Sequence, residues 1–124
     1  MAKAQRPVSS NVPTNRILFI YDASNSMNGT WQSGKKNEIA KSLISKALDS
    51  LKGNPNVELA LRVYGHQYDY RTGQNCEDTK LEVPFAKYNV DKIKAKLDKI
   101  KAQGTTPIAK TLEKSEFDFP PCEN

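Results

Sequence analysis

Five consecutive apolar residues, Ile17-Leu18-Phe19-Ile20-Tyr21, end abruptly at Asp22, and the chain then runs from 22 to 35 with almost no apolar content. A short, continuous and partly β-branched apolar run is the pattern of a central parallel strand covered on both faces. A polar loop leaving the carboxyl end of such a strand lies where open α/β sheets place their ligands. This single feature predicts both the fold class and the location of any site.

The rest of the chain supplies the other elements of an α/β sheet. Ile39, Leu43, Ile44, Ala47, Leu48 and Leu51 make one stripe at helical spacing, and Gly53-Asn54-Pro55 stops that helix. Val57, Leu59, Leu61 and Val63 alternate as a second strand that closes at Tyr64-Gly65-His66. A third strand carries Leu81, Val83 and Phe85, and Pro84 assigns it to a sheet edge, paired as a hairpin with the second. A lysine-rich helix follows, Gly104 breaks it, and Pro107 suits the first turn of a helix over 108 to 115. Residues 117 to 124 read as a connection to a further strand. The 124 residues fit one folding unit. Residues 1–15, rich in Ser, Asn and Pro, are predicted as a flexible leader or linker, and residues 16–124 as the domain.

The net charge of +5 is concentrated in Lys87, Lys92, Lys94, Lys96, Lys99 and Lys101. Val90, Ile93, Leu97 and Ile100 recur at helical spacing in the same segment, so the lysines are expected on the solvent side of an amphipathic helix rather than on a nucleic-acid surface. Cys76 and Cys122 permit one bridge or two separate thiols, and their spacing does not suit zinc. No apolar run is long enough to span a membrane, and no membrane insertion by this chain is expected.

Asp22, Ser24 and Ser26 place a carboxylate and two hydroxyls at alternate positions directly after the buried strand. A turning backbone aims all three oxygens at one point. Magnesium prefers octahedral oxygen coordination and retains waters, so such a set leaves a position open for an incoming ligand. The same residue types also cap helices and build turns, which is the competing reading of a D-x-S-x-S pentapeptide.

The stretch Phe19-Ile20-Tyr21-Asp22-Ala23-Ser24-Asn25-Ser26-Met27 resembles the metal-ion-dependent adhesion site of von Willebrand factor A domains, particularly bacterial ones. The resemblance extends through Asn37-Glu38-Ile39-Ala40-Lys41, Val63-Tyr64-Gly65-His66, Asn75-Cys76-Glu77-Asp78 and Gly104-Thr105-Thr106-Pro107-Ile108-Ala109, about residues 16 to 116. It implies a Rossmann-like, mostly parallel α/β sheet with helices on both faces and one antiparallel edge strand. It implies that Asp22, Ser24 and Ser26 form the first metal loop and that Thr106, rather than Thr105, supplies the second, directly or through water. The family's further loop contributes an Asp, commonly followed by Gly, after a later strand. This sequence has no counterpart, so the resemblance implies the opening part of such a domain, truncated before its later strands. Mg2+, Mn2+ or Ca2+ is then expected to bind weakly, and the exposed sheet edge to favour self-association.

The function implied is a protein-binding module in which a partner's carboxylate completes the cation's coordination. A structural domain with a vestigial site is the alternative, and metal-dependent phosphoryl transfer is a weaker one. Phosphoryl transfer needs a second carboxylate and a nearby Lys where Ser24 and Ser26 stand, and no catalytic role is expected. Serine hydrolysis lacks a Gly-x-Ser-x-Gly elbow. His66 is expected to be structural or solvated. Trp31 and Tyr21 either rim the site or pack its loop. Asn28-Gly29-Thr30 matches a glycosylation sequon. A cell-envelope or secreted parent is favoured over a cytoplasmic one.

Overall fold

The computed structural model describes residues 14–121. The expected leader up to residue 13, and Cys122 with the question of its bridge to Cys76, lie outside the described residues. Asn15, assigned to the leader from sequence, is the first residue of strand β1.

Strand β1 (Asn15–Asp22) runs parallel to β4 (Val57–Tyr64), and β4 pairs antiparallel with β5 (Thr79–Ala86), giving the order β1-β4-β5. Between the first two lie a 3-10 turn over Asn25–Asn28, a minimal hairpin of β2 (Thr30–Trp31) and β3 (Gly34–Lys35), and helix α1 (Lys36–Leu51). Helices α2 (Val90–Lys99) and α3 (Ile108–Ser115) follow β5, and a 3-10 turn covers Glu116–Asp118. The loop expected over residues 22 to 35 thus contains a turn and a hairpin of its own.

The central strand is β4, not β1. Every β4 residue except Glu58 is buried. β1 is flanked on one side only among the described residues, and its Ile20 is 37% exposed. The sheet therefore has one parallel and one antiparallel pairing, with Pro84 on the edge strand as its missing N–H requires. β5 slips register against β4 between Leu59 and Leu61. The carbonyl of Leu59 at that slip accepts a hydrogen bond from buried Asn89 Nδ2 at 2.7 Å, which satisfies a group the ladder has lost.

Both faces of the sheet carry helices. Leu59, Leu61 and Val63 pack with Leu48 of α1 and with Val90, Ile93 and Leu97 of α2 in one core. Lys41 Nζ donates to the Ile100 carbonyl at 2.8 Å, a cation at the C-terminus of α2 that ties the two helices together. The α2 lysines turn outward: Lys94 pairs with Asp49, and Lys96 Nζ lies 3.5 Å from Glu82. On the other face, Arg62 donates to both carboxylate oxygens of Asp118 at 2.6 and 2.7 Å and to Thr79 Oγ1 at 3.1 Å. Arg62 is the sheet's buried cation, and this forked pair anchors the turn that follows α3. α3 meets the sheet through Thr111 and Ser115, whose hydroxyls bond back to the carbonyls of Pro107 and Thr111.

One member of the expected α1 stripe does not enter the core. Leu43 is 59% exposed while Leu48 is fully buried, because the helix meets the sheet along a face centred nearer Leu48. Leu48→Ala is therefore expected to lower stability by about 2–5 kcal/mol in urea unfolding, and Leu43→Ala by well under half of that.

Candidate metal centre

The end of β1 delivers Asp22 opposite Tyr64 in the parallel ladder. The chain then turns, and Asp22 Oδ1 accepts from the Ser24 amide at 2.8 Å and from Ser24 Oγ at 2.6 Å. Ser24 Oγ lies 3.2 Å from Ser26 Oγ. Ser24 Oγ thus stands within hydrogen-bond distance of side-chain oxygens two residues before it and two residues after it. Ser24 is buried, Asp22 is intermediate and Ser26 is exposed, so the cluster is closed toward the sheet and open toward solvent.

A second segment is laid alongside this turn. Ser24 and Gly104 form a parallel bridge, Asn25 N donates to the Gly104 carbonyl at 2.8 Å, and Gln103 N donates to the Ala23 carbonyl at 2.9 Å. Two glycines permit the approach. Gly65 has φ +78°, and a Cβ there would stand 2.6 Å from the Thr105 carbonyl oxygen and 2.8 Å from the Ser24 nitrogen. A Cβ on Gly104 would stand 2.7 Å from the Gly65 carbonyl oxygen, and the Gly104 amide donates to that oxygen at 2.7 Å. Thr105 and Thr106 follow directly. Thr105 Oγ1 accepts from the Asn75 amide at 3.2 Å, whereas Thr106 is exposed.

The donor set can be tested against a dication. Magnesium–oxygen bonds of about 2.1 Å put neighbouring octahedral ligands about 3 Å apart. The separations of 2.6 and 3.2 Å bracket that value, and the ligands are hard oxygens. Asp22 is the one carboxylate in the cluster, and among the described residues no group of three or more His, Cys, Asp or Glu is arranged to hold a metal. The hard-oxygen chemistry and the two separations therefore fit a cation that keeps most of its waters.

The remaining residues singled out from sequence fall into place around this cluster. Tyr21 is buried and donates its hydroxyl to the Asn37 carbonyl at 3.2 Å, so it packs the loop, while Trp31 is 54% exposed. The Asn28 side chain donates to Ala102 and Asn25 and accepts from Asn37, so a glycan at the sequon would break the tie to residue 102. His66 is not solvated: its ring lies 2.6 Å from Glu82 through Nε2 and is 7% exposed. Burial raises the Glu82 pKa, but the His66 hydrogen bond and charge, with Lys80 and Lys96, outweigh it and hold the carboxyl below its ordinary value. Sequence reading passed over Gln103 and gave Asp78 no role beyond its place in the Asn75-Cys76-Glu77-Asp78 stretch, since both are polar residues in segments without periodicity.

Two phenols report on Asp22. Burial first, and the Asp22 charge second, push Tyr21 up to about 12, and the same causes raise Tyr64. A proton held more tightly in the folded state stabilises the fold below the ordinary phenol value of 10.0 and is lost as pH rises through the folded value. Stability is expected to fall over the window from pH 10.0 to about 12. Asp22→Asn should bring both phenols down part of the way, read as an earlier rise of phenolate absorbance. An unchanged alkaline titration would show that the carboxylate does not face them.

No family model matches the chain, and no curated protein does. Solved structures do. An aerotolerance-related membrane protein from Bacteroides fragilis, solved with multiple mutations to serines, has a TM-score of 0.66 at 25% identity over 88% of this chain and 48% of its own. The conserved hypothetical protein BatB from Bacteroides thetaiotaomicron has a TM-score of 0.65 at 23% identity over the same shares. An uncharacterized membrane-spanning protein from Vibrio fischeri has a TM-score of 0.60 at 16% identity over 85% of this chain and 48% of its own. The chain spans about half the length of these proteins. No helix among its described residues is long and apolar enough to cross a membrane. What the chain shares with these BatB-type structures is a mixed α/β, von Willebrand factor A-like fold.

Proposed function

We propose that this chain is a metal-dependent protein-binding module of the cell envelope. A dication held by Asp22, Ser24 and Ser26, with Thr106 from the second segment, would accept a carboxylate from a partner at its open position. The observation that carries this reading is that Ser24 Oγ lies at octahedral spacing from the side-chain oxygens of both Asp22 and Ser26, in a cluster whose Ser24 is buried and whose Ser26 is exposed. The bound cation would supply a Lewis-acidic point charge. The chain's own residues would orient it: Ser24 is fixed by the Asp22 carboxylate and by the Gly104 bridge, and Ser26 and Thr106 are both exposed, as residues that meet a partner must be. Envelope placement is supported by the membrane proteins that share the fold. Binding needs no general base, and the reading assigns no catalytic residue.

A vestigial site is the second reading, favoured by one specific observation. Asp22 Oδ1 is already occupied by two donors from Ser24, which stabilise the turn without any cation. Calorimetric titration with Mg2+ and Mn2+ separates the two. The protein-binding reading expects saturable binding by the wild-type chain and none by Asp22→Ala, with a thermal midpoint that changes far less than it does for Leu48→Ala. Absence of heat with both metals in the folded wild-type protein would leave the structural role standing.

A further inference from the structure

Asp78 is a carboxylate with 0% exposure that the proposed metal chemistry does not use. A buried charge is costly unless donors surround it. Its Oδ1 accepts from the Gln67 amide at 2.9 Å and from Gln67 Nε2 at 3.4 Å, and its Oδ2 accepts from the Tyr68 amide at 3.2 Å. Its backbone carbonyl accepts from the Gly65 amide at 2.9 Å. The His66 ring, with Nδ1 3.9 Å away, adds a polar neighbour. Asp78 therefore folds residues 65 to 68 into a turn around itself.

That turn is the surface on which the second segment of the candidate site rests. A Cβ at Gly104 would lie 2.6 Å from Asp78 Oδ2 and 2.7 Å from the Tyr68 carbonyl oxygen, so the glycine is seated directly against the carboxylate and the turn it organises. Gly104 N bonds to the Gly65 carbonyl, the Gln103 side chain bonds to the His66 carbonyl, and the Gly104 carbonyl receives Asn25 N. A continuous path of direct contacts thus runs from Asp78 through Gly104 to the Asp22-Ser24-Ser26 loop. The stretch that ends in Asp78 also supplies the Asn75 amide that engages the Thr105 hydroxyl. Thr105 is thereby tied down and half-buried, and Thr106 is the threonine left exposed.

We infer that Asp78 is a positioning residue for the candidate metal centre. By organising the 65–68 turn and seating Gly104, it sets the distance between the two loops and decides which threonine is presented. The inference rests on the proposed metal-binding function, since it concerns the geometry of that site, but the contacts that carry it involve none of the assigned ligands.

The test is Mn2+ affinity, measured by calorimetry on the full chain at a temperature where each variant is folded by circular dichroism. Asp78→Asn keeps the side-chain volume but replaces an acceptor oxygen with a donor among N–H groups. It is expected to weaken Mn2+ binding by at least about tenfold, the scale seen when groups behind a metal's ligands are removed. Leu48→Ala is the control for stability alone and should retain wild-type affinity when folded. If folded Asp78→Asn binds Mn2+ as tightly as wild type does, Asp78 is merely structural and the inference is overturned while the functional reading survives. If the wild-type chain itself binds no Mn2+, both fall together. Should Asp78→Asn not fold, Gln103→Ala reads the same junction, since it removes one tie to the 65–68 turn and buries no new group. It is expected to weaken Mn2+ binding by a smaller factor, and unchanged affinity there overturns the inference equally.

Discussion

The parallel ladder between β1 and β4 is the interaction on which the rest of this structure depends. It runs without a slip from Asn15 against Val57 to Asp22 against Tyr64, so the last residue of β1 is delivered at a defined height beside the central strand. Everything at the candidate site is measured from there. The next chain amide, that of Ala23, still bonds to the Tyr64 carbonyl at 2.8 Å, and the turn that gathers Ser24 and Ser26 starts from this fixed point. A shift of one residue in that register would send Asp22 to the opposite face and part it from Tyr64.

The segment that brings Thr106 has no strand to hold it and is placed by close backbone contact instead. Gly65 and Gly104 lie so near one another, and so near Ser24 and Asp78, that neither position has room for a side chain. Behind Thr106, α3 is fixed to the far face of the sheet by Arg62 and Asp118, a forked ion pair between two side chains that are 8% and 5% exposed. Buried pairs of this kind add little net stability over an apolar replacement, yet removing one partner is strongly unfavourable. Their effect here is to specify where the helix, and with it the loop before it, lies. Loops held by polar contacts at two glycines and one helix held by an ion pair constitute the support of the site.

Much of this was legible in the sequence, and the exceptions have physical causes. The strand ending at Asp22 is written in a continuous apolar run, and the edge strand with Pro84 and the amphipathic helix with outward lysines in periods of two and of 3.6 residues, the latter burying Val90, Ile93, Leu97 and Ile100 as the spacing requires. The central position of β4 was not legible. Its alternation of Glu58 and Arg62 with apolar residues reads as one dry face, but Arg62 is buried because Asp118, 56 residues away in sequence, neutralises it. Leu43 failed in the opposite sense, as an apolar residue on the expected stripe that the helix orientation leaves outside. His66 was read as ending a strand, and Asp78 only as part of the stretch that carries the family resemblance. Their burial depends on partners from other elements.

The sequence by itself determined the three strands of the sheet, the helices and the local turn at the candidate site, because alternate spacing in Asp22-Ala23-Ser24-Asn25-Ser26 and the run before it act over a few residues only. Tertiary structure alone decided that Asn75 engages Thr105, that Gly104 is seated on Asp78, and that Arg62 can be buried. Each of these joins residues tens of positions apart. The contacts are made by backbone groups and single polar side chains, which leave no periodic trace in a sequence and acquire direction only when the sheet has set the distances between them.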